Sequence, residues 1–348
     1  MVMSVYNAER YVRASIESIL TQTCQDFEFL IIHDGSIDGT ANILAEYAGR
    51  DQRIQLIENP SNLGLTKSLN KGLEVVRGHY LARHDADDLA DPERFEKQVA
   101  FLEDHPEVGM VGSSCQMIDA HGKLLHLHKA PLTDGAIRWT SLLNNPFYHS
   151  TVMLRSEVLT EHCLCYDETF RLGQDYELWT RLLRVTQAVN LAAPLVRFRL
   201  SAGSITGTKR VAQLATHDQI ALRTIREYWP ETTLTLDQVA ELREFFIGGL
   251  QGAVRKQLKP RKVELAKRYL TLFQAFARHA HQRSELKPLA RQEMRRLAAL
   301  MLRRPRLPGW FVLLIRVLST DPGVIGHLFW QRKGNETRQE AHSLCGTP

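Results

Sequence analysis

Apolar and amphipathic stretches alternate along the first hundred residues. The apolar runs have the length of strands, and the amphipathic runs place apolar residues at helical spacing. The predicted strands are Met1–Tyr6, Phe27–Ile32, Ile54–Ile57 and Tyr80–Ala82. The predicted helices are Ala8–Leu20, Thr40–Ala48, Leu65–Val76 and Pro92–Glu103. Strands that alternate with helices at these lengths predict an α/β fold with a mostly parallel sheet covered on both faces.

The pattern changes twice further along the chain. Residues 107–205 are mixed, with strands predicted over Val108–Met117 and Leu124–Leu127 and a helix over Tyr176–Arg184. Beyond Ser204 the periodicity is helical in four segments: Val211–Tyr228, Leu236–Gly248, Val263–His281 and Pro288–Leu302. We therefore predict an α/β domain over residues 1–205 and a mainly α-helical C-terminal region over residues 206–348.

Charge divides the chain at about the same place. The net charge is +5, but residues 201–348 hold 25 Lys and Arg against 12 Asp and Glu, whereas the first 200 residues are acidic. A basic region favours nucleic acid or an anionic membrane surface as a partner. Because no nucleic-acid-binding motif accompanies the charge, we expect no nucleic-acid partner. No apolar run reaches about 18 residues, so we expect no membrane-spanning helix.

Three carboxylates in four residues follow the fourth predicted strand, in Asp85-Ala86-Asp87-Asp88. Such carboxylates repel one another unless a cation joins them. Oxygen ligands of this kind suit Mg²⁺ or Mn²⁺. A solvated acidic turn before a helix explains the same residues, so the pattern alone leaves both interpretations open.

Two further carboxylates have both a functional and a purely structural interpretation. Asp34, in Asp34-Gly35-Ser36, follows the second predicted strand, at the edge where ligands of parallel sheets bind. Asp-Gly is also a common turn. Asp175 precedes an apolar helix, where it serves either as a general base or as an ordinary helix cap.

Eight short motifs, in order, connect these residues. They are Val2-Met3-Ser4-Val5-Tyr6-Asn7-Ala8-Glu9, Ser18-Ile19-Leu20-Thr21-Gln22-Thr23, Asp26-Phe27-Glu28, Asp34-Gly35-Ser36-Ile37-Asp38-Gly39-Thr40, Asn62-Leu63-Gly64-Leu65, His84-Asp85-Ala86-Asp87-Asp88, Pro92-Glu93-Arg94-Phe95-Glu96-Lys97-Gln98 and Gln174-Asp175-Tyr176-Glu177-Leu178-Trp179. Together they resemble family 2 glycosyltransferases, an inverting group with the GT-A fold. The resemblance covers about residues 1–205, which become the predicted catalytic domain.

The resemblance implies a nucleotide-sugar site. Ser4 and Tyr6 match positions that border the nucleotide base, and Asp34 matches the carboxylate that hydrogen-bonds the base, usually uracil. Asp85 and Asp87 match the pair that meets the ribose and the diphosphate-bound metal, which is Mn²⁺ or Mg²⁺. Of the two, Asp87 is the expected direct metal ligand.

The resemblance also implies the reaction. Asp175 matches the catalytic base, which removes the proton of an acceptor hydroxyl as it attacks the sugar, while Asp88 extends the metal site. His149 lies in a segment near the acceptor side in relatives and is a weaker binding candidate. We therefore expect a cytoplasmic hexosyltransferase whose donor is a nucleotide-sugar, with a UDP-sugar as the first choice. The expected acceptor is a glycan or a lipid-linked glycan in a bacterial cell-envelope or polysaccharide pathway.

Departures from the family pattern keep a second function open. His33 and Ser201 stand where many relatives have Asp and His, and Gln174, a weaker site candidate, replaces the common Glu before the base. Met1 falls inside the predicted first strand, which leaves a start further upstream open. The second function is a non-catalytic nucleotide-sugar-binding or scaffold protein on the same fold.

The basic tail has two interpretations. Arg303-Arg304-Pro305-Arg306 is followed by the short apolar run Leu307–Leu318, which contains Trp310. This arrangement fits a peripheral anchor on the inner face of the cytoplasmic membrane through residues 290–330. A basic helical extension that packs its own apolar face fits equally well.

Overall fold

A three-stranded parallel sheet forms from the first apolar segments. In the computed structural model, which describes residues 1–201, 209–247, 262–279 and 288–294, these strands are β1 (Val2–Val5), β2 (Phe29–His33) and β3 (Ile54–Glu58). Their order is β1-β2-β3, and both pairings are parallel. Three helices connect and follow them: α1 (Val12–Leu20), α2 (Thr40–Arg50) and α3 (Leu65–Leu73).

A second sheet is mainly antiparallel. Its strands are β4 (Tyr80–Ala82), β5 (Leu89–Ala90), β6 (Val108–Ile118), β7 (Leu124–His128), β8 (Met153–Arg155) and β9 (Gln187–Arg199). The order is β4-β8-β6-β9-β5, with β7 paired to β6. Among the described strands of this sheet, only β6 and β9 pair in parallel, and a parallel bridge from Val2 to Arg83 joins the two sheets. The parallel arrangement predicted from the sequence is therefore confined mainly to the first sheet.

The remaining helices lie between and after these strands. They are α4 (Arg94–Asp104), α5 (Asp134–Ser141), α6 (Ser156–Glu161), α7 (Gln174–Leu182), α8 (Arg210–Tyr228), α9 (Leu236–Ile247) and α10 (Lys262–His279). A 3-10 helix covers His149–Thr151, and residues 288–294 are helical. Within these described segments, no helix is long and apolar enough to cross a bilayer.

Strands β1 and β2 of the first sheet are buried on both faces. Successive residues of a strand point in opposite directions, and each of the two sets packs in a core. Met3 and Ile31 pack in one core, whereas Val2 and Ile32 pack in the other. Burying each such side chain contributes about 1.5–3 kcal/mol relative to leaving it exposed. The two cores pack the sheet against its helices.

The chain divides into two compact units, Met1–Ala240 and Glu241–Pro348. In the first unit, α8 lies against α7, where Arg223 of α8 contacts the buried Glu177 at 2.7 Å. The predicted domain boundary at residue 205 stays a prediction. In the second unit, Tyr269 of α10 donates a hydrogen bond of 2.6 Å to Glu293.

Candidate active site

Three loops at the carboxyl ends of the parallel strands are tied together. The backbone N–H of Asn7 donates to the Ser36 hydroxyl at 3.0 Å, and the Asn7 amide oxygen accepts from Ile37 N–H at 3.0 Å. These bonds fix the loop after β1 to the loop after β2. Ser4 is half-buried near the end of β1, and Tyr6, just beyond it, is 45% exposed and free to meet a ligand.

Asp34 fixes the loop after β3. Its carboxylate is 1% exposed and accepts hydrogen bonds from the Asn59 amide at 2.8 Å, from Leu63 N–H at 2.8 Å and from Gly64 N–H at 2.9 Å. A carboxylate has about four acceptor positions, and three are taken here. The structure thus gives Asp34 a loop-holding role, and its contact with a nucleotide base stays a prediction.

Asp85 is held by a buried arginine. The Arg83 guanidinium, which is 3% exposed, lies 2.5 Å from Oδ1 of Asp85. The Ser150 hydroxyl lies 3.1 Å from Oδ2 and also accepts the Asp85 backbone N–H at 3.0 Å. Burial opposes ionisation of Asp85, but Arg83, neighbouring histidines and the Ser150 bond together hold its pKa at about 2. Asp85 is therefore ionised at neutral pH.

Asp88 shares the same hydroxyl. The Ser150 hydroxyl contacts Oδ2 of Asp88, and the backbone N–H of Arg199 donates to Oδ1 at 2.7 Å. Burial first, and then the charges of Asp87 and Asp85, raise the pKa of Asp88 well above its ordinary value. The Ser150 hydroxyl thus links the carboxylates of Asp85 and Asp88.

Asp87 is the carboxylate of the cluster that no other described residue hydrogen-bonds. Its carbonyl accepts from Nε of Arg199 at 2.8 Å, which fixes the backbone and leaves the side chain half-buried at the edge. Burial raises the pKa of Asp87, and the charge of Asp85 adds to the effect, giving about 6. A carboxylate whose charge is disfavoured in the absence of a partner is suited to a cation.

The oxygen donors fit Mn²⁺ or Mg²⁺ bound with substrate. In the described ranges, no three His, Cys, Asp or Glu side chains are arranged to hold a metal ion by themselves. Mg²⁺ is usually held by one or two carboxylates together with substrate phosphates. Asp87 offers free oxygens, whereas both Asp85 oxygens already have protein partners. The donor set therefore fits a metal that arrives with a diphosphate.

Buried basic groups support the loop from beneath. His84 lies between the Asp88 carbonyl and the Arg94 guanidinium, and burial together with Arg94 lowers its pKa to about 3. His149 bonds the Tyr166 hydroxyl at 2.8 Å, and burial together with Arg83 lowers its pKa to about 3. Both histidines are neutral at physiological pH and act as packing and hydrogen-bonding groups.

Asp175 is the second residue of helix α7. Gly173, with φ of +68°, turns the chain into the helix, and Gln174, which is 6% exposed, is its first residue. The Asn145 amide donates to Oδ2 of Asp175 at 2.8 Å. Burial raises the pKa of Asp175, and the nearby charge of Asp85 acts in the same direction. A half-buried carboxylate with a raised pKa is a stronger base than an exposed one.

The fold thus brings together most of the residues singled out in the sequence. Asp85, Asp87 and Asp88 share one loop, residues 85–88, which we call the aspartate loop. The charge of Asp85 raises the pKa of Asp175, which lies some 90 residues further along the chain. His149 lies beneath this loop, where its ring nitrogen is already bonded to Tyr166. Ser201, which stands where many relatives have a His, lies two residues beyond Arg199.

Four supporting residues had no signal of their own in the sequence: Arg83, Asn145, Ser150 and Arg199. Arg83 directly precedes the motif that begins at His84, and Ser150 directly follows the candidate residue His149, so their position was a weak clue. Asn145 and Arg199 reach the site only through the fold, from segments 30 and more than 100 residues away from their partners.

Comparisons with known proteins identify the family and the fold. The model of Glycosyl transferase family 2 matches residues 1–163. An uncharacterized glycosyltransferase of Haemophilus influenzae is 34% identical over 236 residues, which cover 66% of this chain and 73% of the relative. The amylovoran biosynthesis glycosyltransferase AmsE of Erwinia amylovora is 32% identical over 60% of this chain and 78% of its own length.

Solved structures show the same fold. The crystal structure of S. aureus TarS in complex with UDP-GlcNAc superposes with a TM-score of 0.56 at 17% identity, over 79% of this chain and 80% of that one. The predicted α/β fold of the GT-A type with a helical C-terminal region is confirmed. On its sequence relatives and its fold, the chain belongs to glycosyl transferase family 2.

Proposed function

We propose that this glycosyltransferase moves a sugar from a UDP-sugar to an acceptor hydroxyl, with Mn²⁺ or Mg²⁺ bound and with inversion at the anomeric carbon. The observation that carries the proposal is the placement of Asp175 beside the aspartate loop. Asp175 has a raised pKa and lies within the electrostatic reach of Asp85. A carboxylate with a raised pKa close to residues that fit a diphosphate-bound metal supports this reaction.

The residues would have different roles, in metal binding and in nucleotide binding. Asp87 would hold the metal, with Asp85 and Asp88 completing its surroundings, and the metal would neutralise charge on the departing diphosphate. Tyr6, with Ser4 behind it and Asp34 fixing the neighbouring loop, would border the base of the nucleotide.

Asp175 takes the acceptor proton as the hydroxyl attacks. The Asn145 bond to Oδ2 orients the carboxylate, and the backbone N–H of Tyr176 also donates a hydrogen bond to it. Attack by the acceptor on the face opposite the diphosphate inverts the anomeric carbon in one displacement. An α-linked donor therefore gives a β-linked product.

Relatives support a glycan acceptor. AmsE is named for amylovoran biosynthesis, and this supports a place in polysaccharide or lipid-linked glycan synthesis. The fold neighbour TarS binds UDP-GlcNAc, which makes uridine donors the first to test. A site on the inner face of the cytoplasmic membrane accords with such an acceptor. The predicted membrane contact through residues 290–330 lies outside the described residues, apart from 290–294.

Nucleoside diphosphate release tests the proposal. The full chain would be incubated with a panel of uridine, guanosine, cytidine and thymidine diphosphate sugars, each with Mn²⁺, Mg²⁺ or EDTA. We expect release from a uridine donor that EDTA abolishes and Mn²⁺ or Mg²⁺ restores. Equal release in EDTA would contradict the metal dependence, and release only from another nucleotide would contradict the choice of UDP.

The non-catalytic alternative has a distinct outcome. Gln174 in place of the common Glu leaves a supporting charge absent beside Asp175. If UDP binds with metal but no donor in the panel is turned over, even with glycan acceptors added, the nucleotide-sugar-binding interpretation replaces the enzyme.

A further inference from the structure

An exposed apolar strand lies at the edge of the second sheet. β7 pairs with β6 through residues such as Leu127 opposite Gln116, and no other described strand pairs with its outer edge. Leu124, Leu125 and Leu127 are 56%, 49% and 46% exposed. A strand lying on a core buries alternate residues, but here all three leucines remain largely exposed. A cluster of exposed leucines on a soluble surface marks a site of interaction.

The titratable side chains along this edge are all basic. Exposed Lys123 and Lys129 flank the leucines, and the intervening segment adds His126 and His128. No Asp or Glu occurs between Asp119 and Asp134. Apolar side chains framed by basic ones suit the interface of an anionic bilayer, where leucines enter the acyl boundary and lysines meet phosphates.

A second copy of the chain fits the same edge less well. Antiparallel pairing of two β7 strands centred on His126 would place Lys123 of one copy opposite Lys129 of the other. Like charges directly opposite across a strand pair are destabilising. An anionic lipid surface removes this repulsion, whereas a second copy creates it.

The turn before β7 is connected to the aspartate loop. Arg199 donates to the carbonyls of Asp119 at 3.1 Å and Ala120 at 3.3 Å, and the same guanidinium donates to the Asp87 carbonyl at 2.8 Å. Asp119 also accepts Lys123 N–H at 3.0 Å, which makes the turn rigid. A bilayer at β7 would therefore lie at a fixed position relative to the candidate active site.

We propose that the β7 edge, residues 123–129, docks the protein on an anionic membrane surface, so that a lipid-linked acceptor reaches the active site. Only the purpose of docking rests on the proposed function. The contact is a property of the surface itself and is measurable without turnover.

Vesicle flotation of the full chain tests this surface. The vesicles would be phosphatidylcholine alone or phosphatidylcholine with phosphatidylglycerol. We expect flotation with the anionic vesicles only. The triple variant Leu124→Ser/Leu125→Ser/Leu127→Ser should bind at least roughly tenfold more weakly, because it loses the buried apolar contribution. Val211→Ser, at an 85% exposed apolar position on α8, is the matched control and should float like the parent.

A charge variant keeps the test independent of leucine packing. Lys123→Glu/Lys129→Glu should weaken anionic binding by roughly fivefold or more for each lysine and leave the unfolding midpoint near that of the parent. UDP binding and the midpoint verify that every variant is folded.

Three results would overturn the proposal. The first is a parent protein that floats with neither vesicle. The second is a set of variants that all float like the parent, which would move the membrane contact elsewhere, for example to the tail. The third is a parent that forms a dimer broken by the serine substitutions without floating, which would make β7 a self-association edge. If the parent floats through β7 but turns over no donor, the proposed function fails and this inference stands.

Discussion

Replacing Asp87 by asparagine should stabilise the metal-free protein. The substitution keeps the shape of the side chain and removes a charge that the fold disfavours. Burial and the charge of Asp85 raise the pKa of Asp87 from its ordinary 3.8 to about 6. Ionising Asp87 therefore costs about 3 kcal/mol more in the folded protein than in the unfolded chain. Because the side chain is half-buried and solvent screens part of this cost, we expect a gain of about 1–3 kcal/mol at pH 7.5.

The stability gained by Asp87→Asn should depend on pH. Below pH 3.8, Asp87 is protonated in both states, so Asp87→Asn has no advantage. Between pH 3.8 and about 6 the unfolded chain releases the proton and the folded protein retains it, so the parent loses stability as pH rises. Above about pH 6 the full difference in stability between Asp87→Asn and the parent is present. Urea unfolding in EDTA, followed by tryptophan fluorescence from pH 4 to 7.5, measures this curve.

Asp119→Asn is a control of opposite sign. The backbone N–H groups of Lys123 and then His121 lower the pKa of Asp119, so its removal should destabilise the protein near neutral pH, less so as pH falls. Mn²⁺ with UDP should stabilise the parent and leave Asp87→Asn nearly unchanged. An Asp87→Asn variant that is less stable than the parent at pH 7.5 in EDTA would refute the reasoning.

Two further substitutions test the supporting structure. Asn145→Ala removes a hydrogen bond that favours ionised Asp175, so the acid limb of the pH–rate profile should move to higher pH; an unmoved limb would mean that Asp175 is not the base. Gly35→Ala would place a Cβ 2.7 Å from the Ser61 backbone, whereas Gly122→Ala, also at positive φ, meets open space. In urea unfolding, Gly35→Ala should lower the free energy of unfolding by about 1–3 kcal/mol more than Gly122→Ala does. Equal losses in the two variants would contradict the close approach of Gly35 to the Ser61 backbone.

The sequence predicted the elements whose pattern is strong. The amphipathic helix α8 is confirmed to within one residue at its start. The apolar run of β2 is confirmed as a strand that begins two residues and ends one residue later than predicted. β9 was missed because its side chains alternate irregularly and Pro194 interrupts it, although it pairs with both β5 and β6. β8, with three residues, is too short to show a period. Such strands are fixed by their neighbours in the sheet and not by local pattern.

The candidate site was predicted as a set of carboxylates without their partners. Motif order identified Asp85 and Asp175, but no spacing connects Ser150 to both Asp85 and Asp88 or brings Arg199 beneath Asp87. These contacts cross 60 to more than 100 residues of chain and depend on the mixed second sheet, which the sequence predicted only in part. The exposed β7 edge was predicted as a strand, but its exposure depends on what the fold leaves uncovered.

The most direct test compares UDP binding with sugar transfer in Asp175→Asn. The asparagine keeps the size of the side chain and removes its basicity. With metal present, UDP should bind within about twofold of the parent, while transfer to an acceptor should fall by roughly 10²–10⁴-fold, the usual contribution of a positioned base. The parent product, followed by the anomeric proton signal, should be β-linked from an α-linked donor. Transfer near the parent rate in Asp175→Asn, or an α-linked product, would contradict the account.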